Sequence, residues 1–205
     1  MSQMDPRPDE ADLLARSRNG DLAAFNVLVE HYQTAVFNLC LRMLTSTQTA
    51  EDATQEAFIA SYRHLEKFRG GSFRAWLFRI AANACFDELR RRRARPALSL
   101  DEPGSDGERH LDAPDHAPSP EERAEQSELR ETLARALASI PEEQRLAITL
   151  SDIQGLDYSE IAEVMQCSLG TVKSRIARGR VRLRSILLQQ AELLPPRFRP
   201  TGENT

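Results

Sequence analysis

The sequence predicts an all-α fold made of two small helical domains joined by a flexible acidic linker. Apolar residues recur at steps of three and four along most of residues 12–188, and the alternation typical of strands is absent. The chain has 205 residues, 40% of them hydrophobic and 28% charged, which is more than one minimal domain needs. The helical period stops between Pro96 and Pro118, where prolines, glycines and acids cannot form a packed core. The chain therefore divides into two domains at this segment.

Residues 12–95 form the first predicted domain, after an N-terminal tail of residues 1–11. Its first helix covers residues 22–43, where leucine, valine and aromatic residues line one face. The polar break at 45–49 supplies N-cap candidates for a second helix, whose first turn carries acids that favour the helix dipole. Together with a third helix, these two helices are long enough to enclose one small hydrophobic core.

The third helix of the first domain follows a glycine turn. The second helix is predicted to end at the glycine pair 70–71, and Ser72 is the predicted cap of the third. The apolar stripe of the third helix assigns Phe73 and Trp76 to the core, and the helix closes with four arginines at positions 90–93. Those arginines either follow a nucleic-acid backbone or only complement the helix C-terminus.

Residues 119–188 form the second predicted domain, which contains four helices. Ser119, followed by a proline and a glutamate, is a capping box that opens the first helix. Ser139 repeats this device for the second helix, and Asp157 makes a third box for a short helix. A turn at 167–170 then leads into a basic fourth helix.

Charge is distributed unevenly, although the formal net charge is only -4. Residues 69–95 carry eight arginines against two acids, and residues 171–184 carry six cations and no acid. The predicted linker at 96–118 lies between them and is strongly acidic. Because local fields decide whether a polyanion binds, the pattern favours two nucleic-acid surfaces over two merely solvated helix faces.

The last two helices of the second domain have the layout of a helix-turn-helix. Val172 and Ile176 are predicted to point into the core, which leaves the cationic faces of the fourth helix for DNA. Arginine and lysine pair with guanine in the major groove, and free amides at a helix start favour a phosphate. The residues predicted to contact DNA here are Ser168, Thr171, Lys173, Ser174, Arg175 and Arg178.

Aromatic residues beside the arginines of the first domain are typical of proteins that hold single-stranded nucleic acid. Phe68, next to the glycine turn, and Asn83, on the polar face of the third helix, are the predicted base-facing pair.

Several classes of protein are excluded by what the sequence lacks. No stretch approaches the ~20 apolar residues of a membrane span, and residues 1–12 lack the basic and apolar run of a signal peptide, so we expect a cytoplasmic protein. Cys40, Cys85 and Cys167 are widely spaced and sit in apolar patterns, so we expect core residues rather than a disulfide or a metal site. Residues 189–205 are expected to be a disordered tail.

We also expect that the protein is not an enzyme and that it binds neither a cofactor nor a small-molecule substrate. The sequence has no acidic cluster with metal spacing and no Ser–His or Cys–His nucleophile pair, which argues against an enzyme acting on nucleic acid. The alternative among DNA-binding proteins is a stand-alone helix-turn-helix regulator whose first domain is a sensor.

Four short motifs carry a resemblance to a known family. They are Asp-Ala-Thr-Gln-Glu-Ala-Phe at 52–58, Trp-Leu-Phe-Arg-Ile-Ala-Ala-Asn at 76–83, Tyr-Ser-Glu-Ile-Ala-Glu at 158–163 and Gly-Thr-Val-Lys-Ser-Arg at 170–175. Together they resemble the bacterial sigma-70 family and, within it, the extracytoplasmic-function (ECF) sigma factors, closest to the envelope-stress sigma E type. The resemblance covers residues 12–188.

The resemblance implies that residues 12–95 are sigma region 2 and residues 119–188 are sigma region 4. It implies binding to the clamp and flap of core RNA polymerase, recognition of minus-35 and minus-10 promoter elements, promoter melting, a role in stress response, and control by an anti-sigma factor. The implied clamp-binding residues are Asp52, Gln55, Glu56 and Phe58. The implied minus-10 residues are Phe68, Arg69, Gly70, Gly71, Ser72, Arg79, Asn83, Arg90 and Arg91.

Two further expectations follow from the resemblance. The minus-35 element would be read by the helix-turn-helix residues, but Ala177 stands where the sigma E type has a large aromatic residue, so the minus-35 sequence of that type does not transfer. The acidic linker would occupy the RNA channel of the polymerase. We hypothesise that its acids shield the basic domains when polymerase is absent.

Overall fold

The computed structural model describes residues 9–94 and 120–189, and all regular structure in these two ranges is helical. The all-α fold with two helical domains is confirmed. The predicted linker at 96–118 and most of both predicted tails lie outside the described residues. The helices are α1 (Glu10–Arg18), α2 (Leu22–Leu44), α3 (Thr47–Arg63), α4 (Phe73–Ala94), α5 (Pro120–Ala138), α6 (Glu142–Ile148), α7 (Tyr158–Met165) and α8 (Leu169–Gln189).

Helix α1 was not predicted, and it begins inside the segment assigned to the N-terminal tail. Asp9 caps it by accepting a hydrogen bond from the amide of Ala11, and Leu13 and Leu14 are buried against the first domain. The Tyr32 hydroxyl of α2 donates to Glu10 at the start of α1. The helix was missed because its nine residues contain only two adjacent leucines and no repeat of an apolar face.

Helices α2, α3 and α4 form the core of the first domain. Ser46 caps α3 and Ser72 caps α4, the latter by accepting a hydrogen bond from the Ala75 amide at 3.2 Å. The prediction that the second helix reaches the glycine pair is wrong, because α3 ends at Arg63. A 3-10 turn at Leu65–Lys67 follows, and it brings the side chains of both Leu65 and Phe68 into the core.

In the second domain, α5, α6 and α7 each pack against α8. The predicted cap at Asp157 is confirmed as a full capping box with Glu160. The predicted cap at Ser139 is wrong: its hydroxyl donates to the Arg135 carbonyl, and α6 begins after Pro141 without a side-chain cap.

The fourth helix of this domain, α8, begins earlier than predicted and extends further. It begins at Leu169 rather than after Gly170, and it ends at Gln189, one residue inside the predicted tail. Gly179 in α8 lies against α6, where an added Cβ would meet the Gln144 carbonyl oxygen at 3.1 Å. A glycine at this position therefore lets the two helices approach closely.

The two domains pack on each other, so that one continuous apolar cluster includes residues of both. Arg145 of α6 donates to the Met43 carbonyl at the end of α2 (2.7 Å), and the Gln154 side chain donates to the Ala35 carbonyl (3.1 Å). Cys40 and Cys85 are fully buried as predicted, while Cys167 is only half-buried against the cluster.

Candidate nucleic-acid interface

A cavity of about 220 Å³ opens beside the loop between α3 and α4. The loop contributes Phe68 and Arg69, and α4 contributes Trp76 and Arg79. Glu163 of α7, from the other domain, also lines it. The full lining consists of Lys67, Phe68, Arg69, Gly70, Ser72, Ala75, Trp76, Arg79 and Glu163. Five of the nine predicted minus-10 residues, Phe68, Arg69, Gly70, Ser72 and Arg79, are thus brought together at one cavity.

The aromatic residues at this cavity form one cluster. The Phe68 ring centroid lies 5.7 Å from that of Phe73 and 5.5 Å from that of Trp76. Phe68 is only 6% exposed and Phe73 is fully buried, whereas Trp76 is half-buried at the cavity wall. Trp76 therefore presents more surface to the cavity than Phe68, although the sequence pattern assigned it to the core.

The loop conformation depends on its glycines and on α1. Gly70 and Gly71 have φ values of 101° and 87°, a region that residues with a Cβ rarely adopt. The Arg18 side chain donates to the Phe68 carbonyl, and its guanidinium carbon lies 5.6 Å from the centroid of the Phe68 ring. Arg18 thus holds the loop from behind. Sequence reasoning missed it because the two residues are 50 positions apart.

The remaining predicted minus-10 residues lie outside the cavity lining. Asn83 is exposed on α4, seven positions after Trp76 and so on the same side of the helix. Arg90 and Arg91 are exposed and form ion pairs with Asp87 and Glu88, respectively. Their guanidinium groups are therefore already paired along the C-terminal half of α4.

The start of α8 has the geometry of a recognition helix. Val172 and Ile176 are buried, as predicted. The Ser168 hydroxyl accepts the Thr171 amide at 3.2 Å and lies 2.9 Å from the Thr171 hydroxyl. These two predicted DNA contacts therefore also cap the helix.

A second cavity, of about 430 Å³, lies between the start of α6 and the recognition helix. It brings together four of the predicted minus-35 residues, Thr171, Ser174, Arg175 and Arg178. Arg175 forms an ion pair with Glu143 of α6, which leaves the Arg175 side chain only 22% exposed. Lys173 and Arg178 are exposed, and no ion pair of either residue is found among the described residues.

Further along α8 the arginines have a structural partner. Arg180 pairs with Asp152 of the short π-helix Thr149–Ile153 that follows α6, and its hydrogen bonds hold the pKa of Asp152 below the ordinary value. This pair fixes the middle of α8 to the rest of the second domain.

An exposed face of α3 holds three of the four predicted polymerase-binding residues. Asp52, Gln55 and Glu56 are exposed, whereas Phe58 is half-buried and packs against the apolar cluster. Ile59, which the sequence analysis did not single out, is 43% exposed and adds an apolar group to this face.

The chain matches the models of two conserved families. Residues 28–95 match Sigma-70 region 2, and residues 130–183 match Sigma-70, region 4. The ECF RNA polymerase sigma-E factor of Escherichia coli is 42% identical over 170 residues, which are 82% of this chain and 88% of that protein. The chain belongs to the ECF sigma factors. The prediction from the motifs is confirmed, and a stand-alone regulator is not favoured.

Other similar proteins agree with this family. The RNA polymerase sigma-H factor of Pseudomonas aeruginosa is 42% identical over 176 residues, covering 83% of this sigma factor and 90% of its own length. The solved structure of CnrH in complex with the cytosolic domain of CnrY is 27% identical, with a TM-score of 0.64, and the match covers 87% of this chain and 96% of that one. Sigma factors are transcription initiation factors, and regions 2 and 4 are the parts of this chain that meet core RNA polymerase and promoter DNA. Across residues 9–94 and 120–189, no helix is both long and apolar enough to cross a membrane.

Proposed function

We propose that this sigma factor reads a promoter at two separate surfaces, one on each domain, while it is bound to core RNA polymerase in the cytoplasm. The observation that carries the proposal is the orientation of α8. Because Val172 and Ile176 are buried, the helix presents Lys173 and Arg178 to solvent, where a major groove can accept them. The chain supplies binding and positioning, and the chemistry belongs to the polymerase.

The surface on α8 is proposed to bind the minus-35 element as duplex DNA. Lys173, Arg175 and Arg178 supply donors for guanine edges, and Ser168 with Thr171 lies at the helix start, where amides favour a phosphate. Ser174 completes this set. Since Ala177 has no large side chain to reach a base, specificity at that point of the helix comes from its neighbours.

The surface on the first domain is proposed to bind the minus-10 element as a separated strand. The cavity beside the loop is lined by one half-buried indole and two arginines, which suits an unstacked base and its phosphate. Phe68, Arg69, Gly70, Ser72 and Arg79 line the cavity, and Gly71 belongs to the loop beside it. Asn83, Arg90 and Arg91 continue the path along α4.

The exposed face of α3 is proposed to bind the clamp of the polymerase largest subunit. Asp52, Gln55 and Glu56 give it a polar rim around Ile59, and Phe58 supports this face from the core. The second domain would bind the flap. An anti-sigma factor is the proposed regulator, since CnrH, to which this chain is similar, was solved in complex with the cytosolic domain of CnrY.

Run-off transcription on a linear template with purified core polymerase tests this function. Promoter-specific transcripts should appear only when the chain is added. The Arg175→Ala variant should relax base preference in the minus-35 element by about 1–3 kcal/mol per lost contact, as measured on a randomised promoter library. Arg184→Ala, which removes an exposed arginine of α8 beyond the helix-turn-helix, is the matched control. Specific DNA binding without polymerase, and no initiation with it, would contradict the proposal.

A further inference from the structure

Helix α1, which none of the proposed surfaces includes, contacts the loop beside the minus-10 cavity. It packs against α2 and against the 3-10 turn at Leu65–Lys67, which leads into the loop. Two leucines of α1, Leu13 and Leu14, are buried in the apolar cluster of the first domain. α1 is therefore a fixed part of the domain that carries the proposed minus-10 surface.

The last residue of α1, Arg18, makes two contacts with the same residue of the loop. Its guanidinium group donates a hydrogen bond to the Phe68 carbonyl, and its guanidinium carbon lies 5.6 Å from the centroid of the Phe68 ring. A planar guanidinium group can make both contacts at once, because its donors lie in its plane while its face can stack on an aromatic ring. Arg18 thus fixes both the backbone and the ring of Phe68.

The loop that follows Phe68 needs such an anchor. Gly70 and Gly71 have φ values of 101° and 87°, and glycines lose more conformational freedom than other residues when they are held in one conformation. At the far end of the loop, the Ser72 hydroxyl accepts a hydrogen bond from the Ala75 amide of α4 at 3.2 Å. The loop is therefore held at Phe68 by Arg18 and at Ser72 by α4.

The position of Phe68 determines how Trp76 borders the cavity. The two ring centroids are 5.5 Å apart, so Phe68 packs against the indole that forms part of the cavity wall. Arg69, the next residue of the loop, also lines the cavity. A shift of Phe68 would therefore displace Arg69 and remove a packing partner of Trp76.

The geometry of Arg18 favours this indirect role over a contact with DNA. Arg69 and Arg79 line the cavity, whereas the residues that line it do not include Arg18. The guanidinium group of Arg18 is already bonded to a carbonyl oxygen of the loop. The other arginine at this end of α1, Arg16, pairs instead with Asp21, the N-cap of α2, at 2.8 Å.

We infer that Arg18 is a positioning residue for the minus-10 base. It holds the loop and Trp76 in the arrangement that accepts an unstacked base, and without it a smaller fraction of the molecules has a loop competent to bind. This inference rests on the proposed function of the cavity. It adds α1 to the elements on which minus-10 recognition depends.

The test uses holoenzyme and a fluorescent single-stranded oligonucleotide that carries the non-template minus-10 element of a promoter it transcribes. Abasic sites, introduced one position at a time, identify the base that the cavity binds as the position where the affinity falls most. Arg18→Ala should lower the affinity for the intact oligonucleotide about tenfold, because the competent fraction of the loop falls. It should change the affinity for the oligonucleotide without that base by less than about twofold, since the loop then has no base to hold.

Two further variants serve as controls. Arg16→Ala removes an arginine of the same helix whose partner is Asp21, and it should leave both affinities unchanged. Arg18→Lys keeps the charge and a donor for the Phe68 carbonyl, so it should recover part of the lost affinity. The slope of log affinity against log salt should be the same in all variants, whereas the loss of a phosphate contact would reduce it by about 0.7.

Trp76 is the single tryptophan of the chain, so its fluorescence reports on the loop in the free protein without DNA. Acrylamide should quench this fluorescence more strongly in Arg18→Ala than in the parent chain or in Arg16→Ala, because Phe68 no longer packs firmly against the indole. Arg18 is exposed, so its loss should shift the midpoint of thermal unfolding by less than about 3 °C. The two measurements together distinguish a loosened loop from an unfolded domain.

The outcomes separate this inference from the proposed function. If no abasic position changes the affinity of holoenzyme made with the parent chain, the proposed function of the cavity fails, and the quenching still decides whether Arg18 fixes the loop. The inference is overturned if Arg18→Ala weakens the intact and the abasic oligonucleotides equally, lowers the salt slope or leaves the affinity unchanged. Unchanged quenching, a loss shared by Arg16→Ala, or no recovery in Arg18→Lys would also overturn it. So would a larger fall in the unfolding midpoint, which would make Arg18 a residue of the fold alone.

Discussion

The two arginine-rich helices α4 and α8 have nearly the same length, 22 and 21 residues, but they use their arginines differently. In α4, Arg74, Arg92 and Arg93 bond to other elements of the fold. In α8, the arginines that pair with α6 and its following turn are Arg175 and Arg180. The exposed cations of α8 at the helix-turn-helix remain available to DNA.

The number of arginines in a helix therefore does not measure how much of its surface is available to nucleic acid. α4 has eight buried residues and neighbours in both domains, so several of its arginines bond to other parts of the fold. α8 packs against α5, α6 and α7 of the second domain and has three buried residues.

The largest expected effect is the loss of a buried side chain from α4. Phe78 is fully buried, so Phe78→Ala should lower the free energy of unfolding by about 3–5 kcal/mol. Val181 of α8 is 69% exposed, and Val181→Ala should change it by less than about 0.5 kcal/mol. Urea unfolding followed by circular dichroism measures both. Similar losses in the two variants would mean that α8 is as central to the fold as α4.

A pair of arginine variants separates structural from exposed cations. Arg92 donates to the Leu44 carbonyl (3.2 Å) and the Thr49 hydroxyl (2.6 Å), so Arg92→Ala should cost about 1–3 kcal/mol of stability. Arg178→Ala should leave stability within about 0.5 kcal/mol. Instead, it should reduce by about 1 the slope of log affinity against log salt for minus-35 duplex binding by the holoenzyme. A stability loss at Arg178 with an unchanged salt slope would contradict the contrast.

Two glycines of α8 test its contact with α6. Gly179→Ala would push a Cβ against the Gln144 carbonyl oxygen at 3.1 Å, and we expect a net loss of about 1 kcal/mol after the gain in helix propensity. Gly170→Ala meets only the Ser168 hydroxyl oxygen, at 3.8 Å, and should stabilise the chain by about 0.5–1 kcal/mol. The midpoint temperature of thermal unfolding should therefore fall for Gly179→Ala and rise for Gly170→Ala. If both variants stabilised the chain, α6 and α8 would lie further apart at Gly179 than the 3.1 Å contact indicates.

The smallest expected effect comes from the exposed end of α4. The Arg90 side chain is 71% exposed and its ion pair with Asp87 is on the surface, so Arg90→Ala should change stability by less than about 0.5 kcal/mol. Its effect on minus-10 binding should be a uniform loss across sequences, because a phosphate contact carries no base information. Affinities for several oligonucleotides measure this, and a loss confined to one base would contradict it.

Local pattern accounts for what could be predicted of the fold. The apolar period placed α2, α4 and α8, and the box at Asp157 placed α7, because a helical face and a cap are set within a few residues. The same locality explains the errors. Ser139 has the residue type of a cap, but its hydroxyl found the Arg135 carbonyl, one turn back in the preceding helix.

Most of the helices, the helix-turn-helix and membership of the sigma factors could be predicted from the sequence, since each depends on residues close together in the chain. Tertiary structure alone decided that Trp76 borders the cavity, that Arg18 supports Phe68, and that Glu163 of α7 lines the cavity. The bond between Ser72 and Glu160 joins residues 88 positions apart, and no local period records such a pair. Packing of the two domains therefore decides which side chains of the second domain lie beside the basic surface of the first.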